Sequence, residues 1–335
     1  MRESGSIKRT SEMLATALGE QIIAALRDPA VIEIMMNPDG RLWIERHGDG
    51  RIDTGSELSP HEVDRVIRLV ASHVGRRATQ DAPIVSAELP LSGERFEGVL
   101  PPVTRAPCFS IRKPAARIIT LDEYVRHGTM SAQTSIALKD AVQSRANILI
   151  VGGTGSGKTT LANALLAEVA ATGDRIVLLE DTRELQCAAD DTVALRTQPG
   201  TVELADLVRS TLRLRPDRII VGEVRGPEAL DMLKAWNTGH PGGIATLHAN
   251  SAEAGLHRLE QLIGEAAHNV PHDLIAETID RVVFIRRMSG GRQVETLLQV
   301  GGLTRHGYEL TPITTSPKPI SSIPMTSKEK GRPHE

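Results

Sequence analysis

The chain has 335 residues, of which 40% are hydrophobic and 24% are charged; this length and composition are typical of two globular domains and exclude wholesale disorder. Its 39 basic and 42 acidic residues leave a formal net charge of −3, which argues against a protein that coats nucleic acid or anionic lipid by bulk charge. The two cysteines and the aromatic content of 2% exclude a disulfide framework, a cysteine-based zinc module and a broad base-stacking surface.

The N-terminal part of the chain predicts a small α+β domain. Residues 1–10 are polar, and we expect them to be loose. Ser11 can cap a helix whose apolar residues recur at helical spacing, namely Leu14, Leu18, Ile22 and Leu26. The turn sequence Asn37-Pro-Asp-Gly40 separates two strand-like runs, 31–36 and 41–45, and therefore predicts a hairpin.

A second helix and several short strands complete this predicted domain. The helix begins after Ser59-Pro60 and carries apolar side chains at helical spacing from Val63 to Val74. Residues 83–112 have the texture of short strands broken by Gly and Pro. We therefore expect the domain to cover residues 11–125, followed by a linker over residues 126–135, which contain few apolar side chains.

The C-terminal part predicts a mostly parallel sheet with helices on both faces. Short apolar runs at 147–151, 176–179 and 218–221 alternate with helical patterns, as in βαβ units. Further strand-like runs lie at 282–285 and 294–300. We expect this domain to cover residues 136–310. Residues 311–335 are rich in Pro, Ser, Thr and Lys, and we expect them to form a disordered tail.

The segment Gly152–Thr159 matches the phosphate-binding pattern G-x-x-x-x-G-K-[ST] between a predicted buried strand and a predicted helix. Glycines let successive backbone N–H groups point at phosphate oxygens, and the helix N-terminus adds its positive dipole end. Lys158 would reach the β- and γ-phosphates, and the Thr159 hydroxyl would bind Mg²⁺. We predict that ATP binds here, to Gly152, Gly153, Thr154, Gly155, Ser156, Gly157, Lys158, Thr159 and Thr160.

Acidic residues follow two of the other predicted strands. Glu180 and Asp181 follow the run at 176–179, and Glu223 follows the run at 218–221. Carboxyl ends of parallel strands meet at one edge of an open sheet, where ligands bind. We expect Glu223 to activate the attacking water and Glu180 to support Mg²⁺ or its water shell, with Asp181 as the rival of Glu180.

Histidines and arginines are further candidates whose roles the residues alone leave open. His240 and His248 fall in one Gly-rich region. Their spacing does not fit a zinc site, and they could be ordinary loop histidines or could contact the γ-phosphate. Phosphoryl transfer also gains from an arginine supplied by another domain or subunit. Among Arg95, Arg105 and Arg112, the last is flanked by Ile111 and lies two residues before Pro114, which favours a fixed position.

Four longer motifs stand in order along the chain, GGTGSGKTT at 152–160, LLEDTREL at 178–185, LRPDRIIVGEVRG at 214–226 and TGHPGGIATLHANSA at 238–252. With them the chain resembles the secretion ATPases of type II and type IV machines. The segments DPAVIEIMMNPDGRLWIER at 28–46, GERFEGVLPPV at 93–103 and SIRKP at 110–114 are similar to the conjugal-transfer branch of that family. The four-cysteine metal module of many type II relatives is absent from the sequence.

The resemblance implies a RecA-like P-loop ATPase domain, a PAS-like N-terminal domain and a homohexameric ring. It also implies that Glu180, Glu223, His240 and His248 line the nucleotide, and that Arg95 and Arg112 reach the phosphates from the N-terminal domain. Gly222 stands where many other NTPases have Asp, a departure that the family shares, so Glu223 alone must serve at that strand end.

We therefore predict an α/β protein, with a RecA-like P-loop ATPase domain and a smaller α+β, PAS-like N-terminal domain. Its expected function is that of an ATP- and Mg²⁺-dependent hexameric motor of a conjugative type IV secretion system, which drives assembly of the pilus or transfer channel, or substrate transfer. Its expected partners are inner-membrane components of that apparatus. No apolar run approaches the length of a membrane span, so we expect a cytoplasmic protein or one peripheral on the inner membrane's cytoplasmic face.

Three alternatives remain open from the sequence. A pilus-retraction or type II secretion motor would use the same chemistry for a different client. A nucleotide-gated scaffold would bind ATP and barely hydrolyse it, although the presence of Glu180 and Glu223 argues against this. A nucleic-acid motor is the weakest alternative, because charge and aromatic content are both low, and no sequence-specific nucleic-acid binding is expected.

Overall fold

The computed structural model describes residues 2–90, 93–114, 117–198, 200–288 and 291–314, with side chains between residues 12 and 313. Within these ranges the chain forms an N-terminal α+β domain and a C-terminal domain built on a mostly parallel sheet, as the sequence predicts. In the part of the chain that is described, no helix combines the length and the apolar character needed to cross a membrane.

Helices and strands of the N-terminal domain follow the predicted order. They are α1 (Arg2–Arg27), β1 (Val31–Met36), β2 (Arg41–Arg46), β3 (Gly50–Glu57), α2 (Pro60–His73), β4 (Ile84–Glu88), β5 (Arg95–Val99) and β6 (Cys108–Arg112). Residues 2–10, expected to be loose, are helical, and α1 is interrupted at Gly19, where φ is +78°. Its apolar stripe begins only at Leu14, so the sequence pattern misses the earlier turns.

The N-terminal sheet has the strand order β3-β2-β1-β6-β5-β4. Helices α1 and α2 bury their apolar faces against it, in a core that includes Ile22, Ile34, Ile67 and Phe96. Ser59 caps α2, since its side chain accepts from the Glu62 N–H and its own backbone N–H donates to the Glu62 carboxylate. The predicted hairpin is present as the antiparallel pair of β1 and β2.

The C-terminal domain begins earlier than the sequence analysis places it. Residues 126–135 are not a linker between the domains, because they join helices α3 (Leu121–Arg126) and α4 (Ala132–Gln143). Leu121, Tyr124 and Met130 are buried in the C-terminal core. A few apolar residues therefore suffice to pack residues 121–130 against the C-terminal core, although apolar residues are sparse in this part of the sequence. The connection between the domains falls instead between Lys113 and Thr120.

The remaining elements form alternating strands and helices, then an antiparallel strand set. They are β7 (Ile148–Val151), α5 (Lys158–Val169), a short 3₁₀ turn (Ala170–Thr172), β8 (Ile176–Glu180), β9 (Thr192–Arg196), α6 (Leu204–Thr211), β10 (Arg218–Val224), α7 (Glu228–Asn237), β11 (Ile244–Leu247), α8 (Ala252–Gly264), α9 (His272–Thr278), β12 (Arg281–Met288), β13 (Gly291–Thr304) and β14 (Gly307–Thr314). Strand β14 therefore includes the first four residues of the expected tail, and residues 315–335 lie outside the described part.

The C-terminal sheet has the strand order β14-β13-β12-β7-β11-β10-β8-β9. Strands β12, β7, β11, β10, β8 and β9 run parallel, so their carboxyl ends meet at one edge. Every residue of β7 and β8 is buried, as expected for strands with helices on both faces. Apolar cores on the two faces of the sheet fix this edge in place.

Candidate functional site

The phosphate-binding pattern forms the connection from β7 to α5, at the carboxyl edge of the parallel sheet. Gly157 is the N-cap of α5 and has φ of +99°, while Gly155 has φ of +69°. These left-handed conformations suit glycine, because a Cβ atom would strain them. The bend that they create turns the chain directly from the buried strand into the helix N-terminus.

The bend at residues 152–159 leaves a concave space, here called the cradle, where Gly152 and Gly157 have no room for a side chain of their own. A Cβ atom on Gly152 would lie 2.3 Å from the backbone oxygen of Ile285, and one on Gly157 would lie 2.8 Å from Cδ of Arg292. The Ser156 hydroxyl in this bend is buried and has no hydrogen-bond partner. A buried unpaired hydroxyl is costly unless a ligand satisfies it, so the cradle fits an anion such as phosphate.

Lys158, the first residue of α5, lies over this cradle. Its Nζ donates to the backbone oxygens of Gly152 at 3.1 Å and Gly153 at 3.3 Å, and it lies 3.8 Å from the Glu223 carboxylate. Burial lowers the pKa of Lys158, although the negative charge of Glu223 opposes that effect. A buried ammonium held by carbonyl oxygens is well placed to exchange those bonds for phosphate oxygens.

Glu223, near the end of β10, lies beside the cradle, 3.8 Å from Nζ of Lys158. Its Oε1 lies 2.7 Å from Nε2 of His248, and its Oε2 accepts from Nε of Arg225 at 2.5 Å. His248 follows β11 and also lies 3.2 Å from Nζ of Lys158. Burial lowers the pKa of His248, and the nearby Lys158 charge acts in the same direction. The carboxylate, the imidazole and the ammonium therefore surround one point beside the cradle.

Glu180, at the end of β8, is buried and turned toward the backbone. Its Oε1 accepts from the N–H groups of Glu184 at 2.9 Å and Leu185 at 2.7 Å. Burial raises the pKa of Glu180 to about 7, although these two hydrogen bonds oppose that rise. A Cβ atom on Gly222 would lie 3.1 Å from Cγ of Glu180. Glycine at position 222 therefore leaves room for Glu180, where an Asp would crowd it.

Glu184 is a candidate that the sequence analysis missed. It belongs to the segment 181–185, here called the acidic loop, and its Oε2 accepts from the Thr159 hydroxyl at 3.1 Å. Asn163 of α5 holds the same loop, donating to the Glu184 carbonyl at 3.1 Å and accepting from the Gln186 N–H at 2.9 Å. The only sequence signal was that Glu184 lies within the same acidic motif as Glu180.

Asp181, the rival of Glu180, lines the same cavity but makes its side-chain contacts outside the phosphate-binding bend. It accepts from the Thr197 hydroxyl at 3.0 Å, and its Oδ2 lies 3.5 Å from Arg225. Its carboxylate is thus engaged with Thr197 and Arg225. The arrangement favours Glu184, rather than Asp181, as the acid closest to Thr159.

The structure does not bring His240 to the cradle, which corrects the expectation that both histidines line the nucleotide. His240 precedes β11, and its Nδ1 lies 2.9 Å from the Pro216 carbonyl, which precedes β10. Parallel strands place these two segments at the amino edge of the sheet, opposite the cradle. His248 follows β11 and therefore reaches the carboxyl edge.

The N-terminal domain supplies arginines to the same cavity. Arg95 of β5 and Arg112 of β6 are directly opposite each other in the sheet and line a cavity of about 730 Å³ together with Lys158, Thr159 and Glu223. Arg112 is close enough for its charge to help lower the pKa of Lys158, behind burial as the main cause. Arg105 is exposed between β5 and β6. The cavity therefore combines an anion cradle, a carboxylate and cations from both domains.

Comparison with known proteins gives one consistent family. The family described as "Type II/IV secretion system protein" matches residues 16–298. The chain is 50% identical over 312 residues to the probable conjugal transfer protein TrbB of Sinorhizobium fredii, covering 92% of this chain and 95% of that relative. It is 49% identical over 311 residues to the conjugal transfer protein TrbB of Rhizobium radiobacter, covering 92% and 96%.

A solved structure shares the fold. The chain resembles the crystal structure of the pilus retraction motor PilT with bound ADP, with a TM-score of 0.63 and 21% identity, covering 88% of this chain and 83% of that one. This likeness confirms the predicted fold class, an α/β protein whose C-terminal domain is preceded by a smaller α+β domain.

Proposed function

The chain belongs to the type II/IV secretion system protein family, as an ATPase of type IV secretion in conjugation, and we propose that it works as a homohexameric motor. Its output would be the assembly of a pilus or transfer channel, or the transfer of substrate through it. The two TrbB relatives support the conjugation branch over a type II secretion or pilus-retraction motor.

The observation that carries the catalytic part of this proposal is the position of Glu223. Its carboxylate lies 3.8 Å from Nζ of Lys158, beside the cradle that the glycines form. With the γ-phosphate in the cradle, Glu223 is placed to accept the proton of the water that attacks phosphorus. The bond between the γ-phosphorus and the oxygen that bridges it to the β-phosphate breaks, and the products are ADP and phosphate. Lys158 and His248 would contact the phosphate oxygens and the new charge on them.

The donors around Thr159 fit a hard divalent cation such as Mg²⁺. The Thr159 hydroxyl and the Glu184 carboxylate are already in hydrogen-bond contact, and both offer oxygen ligands. Glu180 would not contact the cation itself but would hold Glu184 in place, because it accepts hydrogen bonds from two amides of the acidic loop. When bound, Mg²⁺ would neutralise charge on the β- and γ-phosphates.

Arg95 and Arg112 give the N-terminal domain a part in the reaction. Both line the nucleotide cavity from across the domain cleft. We propose that they contact the phosphates when the N-terminal domain closes over the C-terminal domain, about the connection between Lys113 and Thr120. Such a hinge motion, repeated around a ring of subunits, would carry the mechanical output.

We further propose that the client of this motor lies at the membrane. Inner-membrane components of a conjugative secretion apparatus would be its partners, and it would act in the cytoplasm or peripherally on the membrane's cytoplasmic face. The identity to the TrbB relatives supports this context. The net charge of −3 and the sparse aromatics support a protein client over direct handling of nucleic acid.

Phosphate release and nucleotide binding test the catalytic assignment. We expect Lys158→Ala to lose ATP binding. Glu223→Gln should bind ATP and turn it over at least ~10²-fold more slowly, by analogy with the loss of a positioned general base. Glu277→Gln, at an exposed position on α9, serves as a control with wild-type turnover. Near-wild-type turnover of Glu223→Gln would remove the assignment of the base, and a wild-type protein that binds ATP without hydrolysis would favour the scaffold alternative.

Native mass measurement tests the ring. We expect six copies of the chain in one complex in the presence of ATP and Mg²⁺. A protein that stays monomeric under all nucleotide conditions would contradict the proposed hexameric motor.

A further inference from the structure

One side chain of the N-terminal domain touches the acidic loop and has no role in the function proposed above. Glu88 is the last residue of β4, and its Oε1 accepts from the backbone N–H of Arg183 at 3.1 Å. Its Oε2 lies 2.6 Å from Nη1 of Arg196 on β9. Glu88 therefore ties the edge strand of one domain to the loop that follows β8 in the other.

The opposite side of the acidic loop faces the nucleotide cradle. Glu184 follows Arg183 directly and accepts from the Thr159 hydroxyl. Because the two residues are adjacent in the chain, the position of the Arg183 amide constrains the direction in which the Glu184 side chain leaves the backbone. Glu88 holds the loop from the N-terminal domain, whereas Thr159 and Asn163 contact it from the C-terminal domain.

Glu88 also shares a row of the N-terminal sheet with the two cavity-lining arginines. It is directly opposite Arg95, which is directly opposite Arg112. Directly opposed residues of neighbouring strands point to the same face of a sheet. The face that presents Arg95 and Arg112 to the cavity therefore presents Glu88 to the acidic loop, so that one movement of the domain displaces all three.

We propose that Glu88 is a positioning residue that couples the placement of the N-terminal domain over the nucleotide to the placement of Glu184 beside Thr159. This inference rests on the proposed role of Glu184 and Thr159 at the cation site. It makes the acidic loop the element through which closure of the N-terminal domain sets the rate of hydrolysis.

The exposure of the Glu88–Arg196 pair indicates whether a substitution would change stability or turnover. Glu88 and Arg196 are partly exposed, with 25% and 43% of their side-chain surface accessible, and such pairs contribute little to stability. Variants of Glu88 should therefore fold. The hydrogen bond from an amide to a carboxylate is charge-assisted and directional, and small displacements of catalytic groups cost rate steeply. The effect should accordingly appear in turnover.

Steady-state ATP hydrolysis provides the first test. We expect Glu88→Ala to lower kcat about tenfold or more while KM for ATP changes little. Glu88→Gln keeps an acceptor for the Arg183 N–H and should recover a large part of the rate. The matched control is Glu45→Ala, because Glu45 is equally exposed at 25% and makes a different contact between the domains, 3.6 Å from Arg287, with no hydrogen bond or ion pair to the acidic loop among the described residues. Equal effects of Glu88→Ala and Glu45→Ala would contradict the proposal.

Hydrogen exchange provides a second test that does not depend on turnover. Amides of residues 181–187 in the full-length protein should exchange faster in Glu88→Ala than in the wild type and in Glu45→Ala, because the Arg183 N–H loses its acceptor. Unchanged exchange would overturn the proposal even if hydrolysis fell. If the wild type did not hydrolyse ATP, the proposed function would fail, while the exchange measurement would still decide whether Glu88 positions the loop.

Discussion

Three nitrogen-bearing side chains converge on Glu223, and each holds it differently. Arg225 binds Oε2, whereas His248 and Lys158 lie beside Oε1. Burial lowers the pKa of both His248 and Lys158. The lowered pKa favours the neutral imidazole, so the cradle does not gain a further positive charge from His248 near neutral pH. The carboxylate is fixed in direction and remains within reach of the terminal phosphate.

The Mg²⁺ dependence of hydrolysis distinguishes Glu184 from Glu180 as the acidic residue at the cation site. Because Glu184 contacts the Thr159 hydroxyl whereas Glu180 accepts from backbone amides in the same loop, Glu184→Ala should raise the Mg²⁺ concentration for half-maximal rate by about 10-fold or more. Glu180→Gln retains an acceptor for both amides and should raise it less. The opposite order would return the cation site to Glu180.

The buried Glu180 also predicts a pH dependence of stability. Its pKa in the folded protein is about 7, against an ordinary 4.5, so the folded state keeps this proton where the unfolded chain loses it. Stability should therefore fall as pH rises from about 4.5 to 7, by on the order of 3 kcal/mol at ~1.36 kcal/mol per pKa unit. Urea midpoints from pH 5 to 8 should show the wild type losing stability relative to Glu180→Gln, and parallel profiles would contradict this.

Strand position decided which side chains could be placed from sequence. Glu223 and His248 each lie at the carboxyl end of a strand, and the parallel topology brings them to the cradle. His240 shares a motif with His248 but precedes β11, so the same topology places it at the other edge. Glu184 could not be ranked above Asp181 in advance, because its direction depends on how Glu180 and Asn163 hold the loop.

The turn from β7 to α5 requires glycine at the positions where a Cβ atom would clash with neighbouring backbone. A Cβ atom on Gly152 would meet the Ile285 backbone at 2.3 Å, whereas one on Gly153 would meet nothing within 4 Å. Gly152→Ala should therefore lower the free energy of unfolding by about 1–3 kcal/mol, as overpacking does, and Gly153→Ala should leave it near the wild-type value. Thermal or urea unfolding of both variants checks this, and equal destabilisation would contradict it.

Helices and strands with a clear pattern of apolar or glycine residues were predictable from the sequence, and those without such a pattern were not. The apolar run at 147–151 and the glycine-rich bend predict β7 and the start of α5, because burial on two faces and left-handed backbone leave few alternatives. Helix α3 and the first four residues of α4 were missed as part of the C-terminal domain, since Leu121, Tyr124 and Met130 dock through tertiary contacts that the sequence pattern does not predict.

In the whole molecule, the cavity is lined by two domains that meet, among the described residues, through few polar contacts. Glu88 reaches Arg183 and Arg196, and Glu45 lies near Arg287. Sparse, partly exposed contacts of this kind allow one domain to move against the other. The composition and motifs predict two domains, but the row that aligns Glu88 with Arg95 and Arg112 emerges only from strand register.

The decisive measurement is a structure of Glu223→Gln bound to ATP and Mg²⁺. We expect the triphosphate in the bend at 152–159, with its terminal phosphate near Lys158 and a water within about 3 Å of the substituted side chain, in line for attack. A terminal phosphate bound elsewhere, or a residue 223 side chain turned away from it, would refute the assignment of Glu223 as the base.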